Sequence, residues 1–437
     1  MRKSRSAVRL AAVLTAGALA LAACGSGGDD KPAASGEPRV LKLWHYESAD
    51  SAMGKAWAEA IKKFEASHPG VTVKFEEKGF EQIQKTASMV LNSDEAPDIM
   101  EYNKGNATAG LLSKQGLLAD LTEEATKRGW DKLLPGGLQV TAKYDERGVM
   151  GSGAWYGVPN YGEFVMVYYN KDLFDKHGVK VPTTFDELTA ALDTFVKAEV
   201  TPIASAGAEY PAQQIFYQLA LTKAQRPWVN ALQSYQGKVD FRGPEFGYAA
   251  QTMADWVKKG YIAKDSGGLK AEDMGVAFMK GEYPIMISGS WWYGRLASEI
   301  KNFEWGHFLF PGATLSPGSS GNLWVVPEKS RNKDLAHDFI DITMSKDIQN
   351  LLGNSGGVPV AADPAAITDA KSKELIESFN KLTSADGLAF YPDWPAPGYY
   401  DVLVAGVQNL VNGSKTPDQV LDEIAGPYED NLADIGG

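Results

Sequence analysis

The hydrophobic positions along the chain fall into short apolar runs separated by amphipathic stretches, which is typical of an α/β protein. Residues 40–44 form a short apolar run that predicts a strand. Trp57, Ala60, Ile61 and Phe64 follow at the i, i+3, i+4, i+7 spacing of one buried helical face. The sequence therefore predicts a strand followed by a helix.

The same order continues directly afterwards. Residues 68–70 (HPG) break the helix, and residues 71–75 alternate apolar and polar positions as a strand does. A helix is predicted around 81–91, and a third strand is expected to start at 96–100. This succession of strands and helices predicts a parallel sheet flanked by helices.

Start signals mark two later helices. Thr184 and Glu187 form a capping box, in which the threonine hydroxyl and the glutamate carboxylate each bond to the other residue's backbone N–H. Thr416 and Gln419 form a second box, with Pro417 at the first helical position. Both boxes precede apolar positions at helical spacing, so each predicts an amphipathic helix.

The chain shows neither an internal repeat nor an evident linker between domains. A short buried strand is predicted at 284–287, and it runs straight into 288–292 (SGSWW). Lobes that exchange chain segments leave no single linker between them. We therefore expect two α/β lobes.

The first 38 residues have the features of an exported lipoprotein. Residues 1–23 combine four early cations, an apolar run and small closing residues, which predicts a signal peptide. Residues 21–24 (LAAC) resemble the bacterial lipobox, and Cys24 is the only cysteine of the chain. Lipidation of Cys24 would anchor the protein at the outer face of the cytoplasmic membrane. Residues 24–38, rich in Gly, Ser, Asp and Pro, predict a flexible tether.

The net charge and the absence of cofactor motifs argue against several classes of function. The formal charge is −12, and it becomes −16 without the four cations of the signal peptide, which argues against a nucleic-acid partner. The five histidines are scattered, and neither GxxxxGK[ST] nor GxGxxG occurs. We expect no metal and no cofactor. The 11 Trp, 18 Tyr and 17 Phe are abundant enough to suggest a role besides core packing.

Two enzymatic alternatives remain at this point. Residues 353–357 (GNSGG) fit the G-x-S-x-G pattern of a hydrolase nucleophile, which must lie between a strand and a helix. Here the preceding segment, 338–352, predicts a helix, so a helix C-cap is the expected role. A pair of carboxylates acting as in a glycosidase is the other alternative, because their separation cannot be judged from sequence.

Several segments together resemble the extracellular sugar-binding lipoproteins of ABC importers, the class that includes the maltodextrin-binding proteins. The most specific is Y-G-x-P at 156–159 followed by Y-N-K-D-L at 169–173. The resemblance covers about residues 40 to 430. The other matching segments are 43–46, 63–65, 71–73, 96–99, 116–121, 182–188 with Phe185 in place of Trp, and 278–291 with Pro284 in place of Ala.

The resemblance implies a two-lobed periplasmic-binding-protein-like fold, with three interlobe crossings, a hinge and a ligand cleft. We expect the N-terminal lobe to comprise 39–159 plus 323–365. The C-terminal lobe is then 160–322 plus 366–437. Closure of the lobes on a ligand in the cleft would follow from this architecture.

The resemblance also points to ligand-binding residues. Trp291 matches the stacking tryptophan of the family, whereas Trp292 is expected to pack inward. A sugar site needs aromatic faces for C–H surfaces, and carboxylates and amides for hydroxyls. The remaining candidates of these types are Glu163, Glu209, Tyr210, Asp393, Trp394, Tyr400, Tyr102, Asn103, Asn106, Glu47 and Asn322.

The resulting hypothesis is a non-enzymatic, monomeric receptor that captures a di- or oligosaccharide and delivers it to ABC permease subunits. Its contact with the membrane would be the lipid anchor alone. A binding protein for another solute, such as a polyamine, is the alternative, and a secreted glycoside hydrolase or esterase is a further one.

Overall fold

The computed structural model describes residues 39–436. The predicted signal peptide, Cys24 and the tether lie outside this range. None of the helices within it combines the length and the apolar character that a membrane span needs. In the same range, no three His, Cys, Asp or Glu side chains are grouped so as to hold a metal ion.

Short strands and longer helices alternate along the described chain. The strands are β1 (Arg39–His45), β2 (Val71–Glu77), β3 (Ile99–Tyr102), β4 (Lys143–Tyr144), β5 (Ala154–Trp155), β6 (Val158–Pro159), β7 (Tyr161–Asn170), β8 (Ile203–Ala204), β9 (Ile285–Gly289), β10 (Trp305–Phe308), β11 (Gly318–Ser320), β12 (Leu323–Val325) and β13 (Val358–Pro359).

The α-helices are α1 (Ala52–Ser67), α2 (Phe80–Leu91), α3 (Leu111–Lys114), α4 (Thr122–Arg128), α5 (Trp130–Leu133), α6 (Gly136–Gln139), α7 (Lys171–Lys176), α8 (Phe185–Lys197), α9 (Tyr210–Leu221), α10 (Arg226–Ser234), α11 (Pro244–Lys258), α12 (Ala271–Met279), α13 (Tyr293–Glu299), α14 (Lys333–Thr343), α15 (Lys346–Asn354), α16 (Ala370–Ser384), α17 (Tyr399–Asn412) and α18 (Pro417–Asp434).

The first sheet has the strand order β2-β1-β3-β12-β6. β1 pairs in parallel with both β2 and β3, as the sequence predicts. β12 and β6, which come from later in the chain, add antiparallel pairs that the local pattern does not show. Trp57 and Phe64 of α1 are fully buried. Their rings meet edge-on with Trp324 of β12 and with Phe339 of α14, so α1 packs on this sheet and on α14.

The second sheet is built around the ten-residue strand β7. Its order is β10-β7-β9-β8, and β11 and β13 also pair with β7. The neighbours β9, β10, β11 and β13 all run antiparallel to β7, whereas β8 runs parallel to β9. Every residue of β7 except Tyr169 is buried, which fits a central strand covered on both faces.

The two sheets define two α/β lobes, which we call the first and the second lobe. The chain passes from the first sheet to the second between β6 and β7, and it returns between β11 and β12. These passages fall beside the boundaries predicted at 159/160 and 322/323. Strand β13 already pairs with β7, although the predicted third boundary is at 365/366. The extents of the lobes remain a prediction.

Local start signals are confirmed where the structure describes them. Thr184 and Glu187 form the reciprocal capping box of α8, and Thr416 and Gln419 form that of α18. The helix predicted at 338–352 is divided in two, because α14 ends at Thr343 and α15 begins at Lys346. Ser355 caps the C-terminus of α15, so it does not stand on a strand-to-helix turn.

Candidate ligand-binding site

Strand ends of both sheets bring polar and aromatic residues together. β1 and β3 are parallel, so the residues that follow them emerge at one edge of the first sheet. In β12, Leu323 lies opposite Tyr102, which places Asn322 at the same edge. In the second sheet Val165 lies opposite Gly289, so the start of β7 is beside the end of β9.

A cavity of about 290 Å³ lies at these strand ends. Its lining includes residues from both lobes and mixes aromatic rings with carboxylates, amides and two cations. The lining residues are Tyr46, Glu47, Ser48, Ser51, Phe80, Asn103, Lys104, Tyr161, Glu163, Tyr210, Gln214, Glu272, Trp291, Trp292, Arg295, Asn322, Tyr391, Asp393, Trp394 and Tyr400. A concave site with rings and a few polar groups is the usual form of a small-molecule site.

Most side chains that the sequence singles out meet at this cavity. That they contact a ligand stays a prediction. The predicted residues in the lining are Trp291, Glu163, Tyr210, Asp393, Trp394, Tyr400, Asn103, Glu47 and Asn322.

The other three predicted residues do not line the cavity, and each has a different environment. Tyr102 is the last residue of β3 and is buried in the core. Asn106 donates to Gln233 O at 2.9 Å and accepts from Met150 N at 2.8 Å, so it holds loops together. Glu209 accepts from Ala271 N at 2.9 Å and so ties the start of α9 to α12.

Two glycines allow tryptophan rings to lie against the backbone at the cavity. A methyl group at Gly289 would lie 1.9 Å from a ring atom of Trp291. A methyl group at Gly105, whose φ is +104°, would lie 2.5 Å from Trp394. The Trp291 indole N–H donates to the Tyr210 hydroxyl at 3.2 Å, and the two rings meet edge-on with centroids 5.7 Å apart. Trp291 is thereby oriented, while its ring still lines the cavity.

A buried ion pair crosses from the first lobe to the second, and the sequence analysis did not find it. Lys104, which follows β3, forms a salt bridge with Glu163 of β7, and both side chains are almost fully buried. Lys104 Nζ also donates to Asn322 Oδ1 at 3.0 Å, and Asn322 Nδ2 donates to the Tyr161 hydroxyl at 2.7 Å. These groups stand where the chain passes between the lobes. Lys104 is 59 residues from Glu163 and 218 residues from Asn322 in the sequence, so no local pattern indicates these contacts.

Arg295 forms a second ionic group at the cavity that the sequence analysis missed. Its guanidinium donates to both carboxylate oxygens of Glu272, at 2.7 and 2.8 Å, and to Glu299 at 2.7 Å. Its Nε also lies 3.3 Å from Asp50, which follows β1 in the first lobe. Arg295 therefore links the two lobes beside the cavity.

Two lining carboxylates, Glu47 and Asp393, are buried and form no salt bridge with a lysine or arginine of residues 39–436. Burial raises the pKa of Glu47 to about 8, and the nearby Glu163 carboxylate adds to the increase. Burial also raises the pKa of Asp393, to about 7. The hydroxyl of Ser51 donates to Glu47 at 3.4 Å, and this hydrogen bond offsets only part of the increase in the Glu47 pKa. Burial therefore favours the neutral form of Glu47 near neutral pH and leaves Asp393 divided between its neutral and ionised forms.

We expect the ligand-free protein to lose stability as pH rises from about 5 to about 8. Glu47 and Asp393 bind protons more tightly in the folded state than in the unfolded chain, so the folded state is favoured below their raised pKa values and loses this advantage above them. Glu47→Gln should reduce the fall in Tm between pH 5.5 and 8 by about 3 °C or more. Thermal unfolding at the two pH values measures this.

The exposed Glu77 supplies the control for this prediction. Glu77→Gln should leave the pH dependence of Tm as it is in the unsubstituted chain. An equal pH dependence in the Glu47→Gln and unsubstituted proteins would contradict the proposed environment of Glu47.

Comparison with known proteins gives the family. Residues 48–350 match the family of bacterial extracellular solute-binding proteins. A probable sugar-binding periplasmic protein of Mesorhizobium japonicum is 26% identical over 335 residues, covering 72% of this chain and 76% of that protein. The diacetylchitobiose binding protein DasA of Streptomyces coelicolor is 25% identical over 447 residues, covering 99% of both chains.

Solved structures show the same fold. A chitin oligosaccharide binding protein superposes with a TM-score of 0.77 at 22% identity, over 91% of this chain and 100% of that one. The GacH receptor of Streptomyces glaucescens, solved unliganded and with acarbose, superposes with a TM-score of 0.71 at 21% identity, over 90% and 98%. At these identities the likeness concerns the fold alone. Because the family match covers more than half of the sequence, the chain belongs to the bacterial extracellular solute-binding proteins.

Proposed function

We propose that the protein is the substrate-binding receptor of a carbohydrate ABC importer. It binds a di- or oligosaccharide in the cavity between the lobes and presents it, chemically unchanged, to membrane permease subunits. Relatives named as sugar-binding and diacetylchitobiose-binding proteins support the ligand class. The observation that carries the proposal is the cavity, which combines the partly buried Trp291 ring with carboxylates and amides from both lobes.

The lining suits the two surfaces of a sugar. The C–H face of a pyranose packs against an aromatic ring, and its hydroxyls exchange hydrogen bonds with amide and carboxylate groups once water leaves. Trp291 and Trp394 supply rings, while Asn103, Gln214 and Asp393 supply polar groups. A sugar that contacts several of these groups satisfies both requirements within one cavity.

Closure of the lobes explains how binding is coupled to delivery. Contacts between the lobes surround the cavity: Arg295 with Asp50, Tyr400 with Glu81, and the Phe80 and Tyr210 rings at a centroid distance of 6.5 Å. Opening the lobes would break these contacts and divide the lining. A ligand that contacts both lobes binds the closed state more tightly, so it shifts the population toward closure.

A thermal-shift panel tests the proposal. Residues 37–437 would be heated with di- and oligosaccharides and, as controls, with putrescine and spermidine. One glycan class at 100 times its Kd should stabilise the protein by about 2.7 kcal/mol and raise Tm by several degrees. Mass spectrometry should then recover that glycan intact.

Other outcomes of the panel would contradict the proposal. A shift with a polyamine and with no sugar would identify a receptor for another solute. Breakdown of the glycan would indicate a hydrolase.

We also propose that the protein is held at the membrane through Cys24. The lipobox-like segment 21–24 and the polar tether that follows support this. Cells given an alkyne fatty acid should label the native protein, and Cys24→Ala should abolish the label and shift the protein from the membrane fraction to the medium. Ser26→Ala, two residues further on, is the control and should change neither. Membrane retention of the Cys24→Ala protein would contradict the anchor.

A further inference from the structure

The carboxylates of the cavity lining outnumber its cations. Four carboxylates line the cavity, those of Glu47, Glu163, Glu272 and Asp393, together with the cations Lys104 and Arg295. Lys104 is paired with Glu163, and Arg295 is paired with Glu272. Both cations are thus paired with carboxylates of the protein, whereas Glu47 and Asp393 are left without an ionic partner in the lining.

Glu47 and Asp393 have no ionic partner among residues 39–436. Each is only 8% exposed, and neither forms a salt bridge with a described lysine or arginine. The Ser51 hydroxyl donates to Glu47 at 3.4 Å, and the Tyr161 hydroxyl also forms a hydrogen bond with it, whereas no side chain within residues 39–436 donates to Asp393. Buried carboxylates in other proteins are normally paired, so two unpaired ones facing a cavity suit a cationic ligand.

Two independent observations indicate the same ligand chemistry. Gln214, which is 5% exposed, also lines the cavity, and its Oε1 has no donor. A ligand that donates a hydrogen bond would satisfy this buried acceptor. The rings of the lining also suit a cation, because the Lys104 ammonium already lies 5.6 Å from the Tyr391 ring centre and 5.3 Å from that of Trp394.

We propose that the glycan carries a protonated amine, so that an amino-sugar unit binds with its ammonium at Glu47 and Asp393 and with neighbouring donors at Gln214. This inference rests on the proposed function and specifies its substrate class. We expect a sugar that carries a carboxylate not to bind, because Lys104 and Arg295, the cations that would pair with it, are already paired with Glu163 and Glu272.

Proton release accompanies this binding. The charged and titratable groups of residues 39–436 that face Glu47 are Glu163, Glu101, Lys104, Tyr161 and Tyr46. Before the ligand binds, burial and the neighbouring Glu163 carboxylate keep Glu47 largely protonated at neutral pH. An ammonium that arrives beside it stabilises the carboxylate, so the carboxyl proton passes to the buffer. Asp393 contributes in the same direction, and the charged and titratable groups that face it are Lys104, Glu81, Glu163, Tyr217, Tyr391 and Tyr400.

The test is calorimetric titration of residues 37–437 at pH 6.5 with β-1,4-linked glucosamine disaccharide and with its di-N-acetylated form. Buffers of low and high ionisation enthalpy would be compared, since the difference in heat counts the protons released. We expect the free amine to bind at least about tenfold more tightly than the acetylated form. Its binding should release about half a proton or more, and that of the acetylated form close to none.

Matched variants assign the effect to the two carboxylates. Glu47→Gln and Asp393→Asn should each reduce the preference for the amine at least about fivefold, and Glu47→Gln should remove most of the proton release. Glu77→Gln, an exposed control, should change neither quantity.

The outcomes separate this inference from the proposed function. If the acetylated sugar binds as tightly as the free amine or more tightly, the preference for an amine is wrong, but the protein can still be a sugar receptor. The same holds if a neutral glycan binds and neither form of the disaccharide does. Binding of a glucuronate disaccharide overturns the preference for an amine as well. Binding of spermidine with no sugar overturns both the inference and the proposed function.

Discussion

Replacing Trp291 by alanine should lower the affinity for the glycan at least about 100-fold. The ring lines the cavity and is oriented by its bond to the Tyr210 hydroxyl and by the absence of a side chain at Gly289. Truncation removes the aromatic surface against which a pyranose packs, and it leaves the Tyr210 hydroxyl without this donor. Calorimetric titration of the variant with the glycan found in the panel measures the loss.

Two further variants make the Trp291 result specific. Trp291→Phe keeps an aromatic ring without the indole N–H, so we expect a loss between those of the native and alanine proteins. Trp44→Ala removes a partly exposed tryptophan outside the cavity, whose ring lies 4.3 Å from Lys78 Nζ, and should leave affinity unchanged. Native-like affinity in the Trp291→Ala protein would contradict the proposed role of this ring.

Replacing Lys104 by methionine should lower the free energy of unfolding by about 3–5 kcal/mol at pH 8. The change leaves the Glu163 carboxylate buried without its cation, and Asn322 loses a donor. Burial already raises the pKa of Glu163 and Lys104 opposes this, so without Lys104 the carboxyl protonates more readily. The loss of stability should therefore be smaller at pH 5, where the neutral form is reached at less cost. Urea unfolding at both pH values tests this.

A double-mutant cycle separates the ion pair from packing. Lys104→Met combined with Glu163→Gln removes both charges, and it should recover part of the stability lost in the Lys104→Met protein. Lys62 pairs with Glu59 at the surface, at 3.3 Å with the lysine 74% exposed, so Lys62→Met should cost less than about 1 kcal/mol. Equal losses for Lys104→Met and Lys62→Met would mean that the buried pair does not hold the lobes together.

The elements set by local chemistry were predictable from the sequence. The capping boxes at Thr184 and Thr416 place helix starts correctly, because their partners are three residues away. The parallel pairing of β1 with β2 and β3 follows from the alternation of strands and helices. The antiparallel additions β12 and β6 were not predictable from local pattern, because they depend on chain segments that return from the second sheet.

Residues of the cavity lining were predictable where a family motif or an aromatic loop singles them out. Trp291, Glu163 and Asp393 match family motifs or stand in an aromatic loop, and the structure places them in the lining. Lys104 and Arg295 were missed because what distinguishes them is a partner distant in sequence. The sequence analysis selected the amides Asn103 and Asn106 after β3 and passed over Lys104, which stands immediately beside Asn103 and pairs with Glu163. A search for lysines directly after strand ends would have found it.

The most direct test of the central claim is a crystal structure of the protein with the glycan identified in the panel. We predict a sugar ring stacked on Trp291 in the cavity between the lobes, with hydrogen bonds to Gln214 and to groups of both lobes, and with Lys104 still paired with Glu163. Glycan density elsewhere on the protein, with this cavity holding only water, would contradict the assignment of the site.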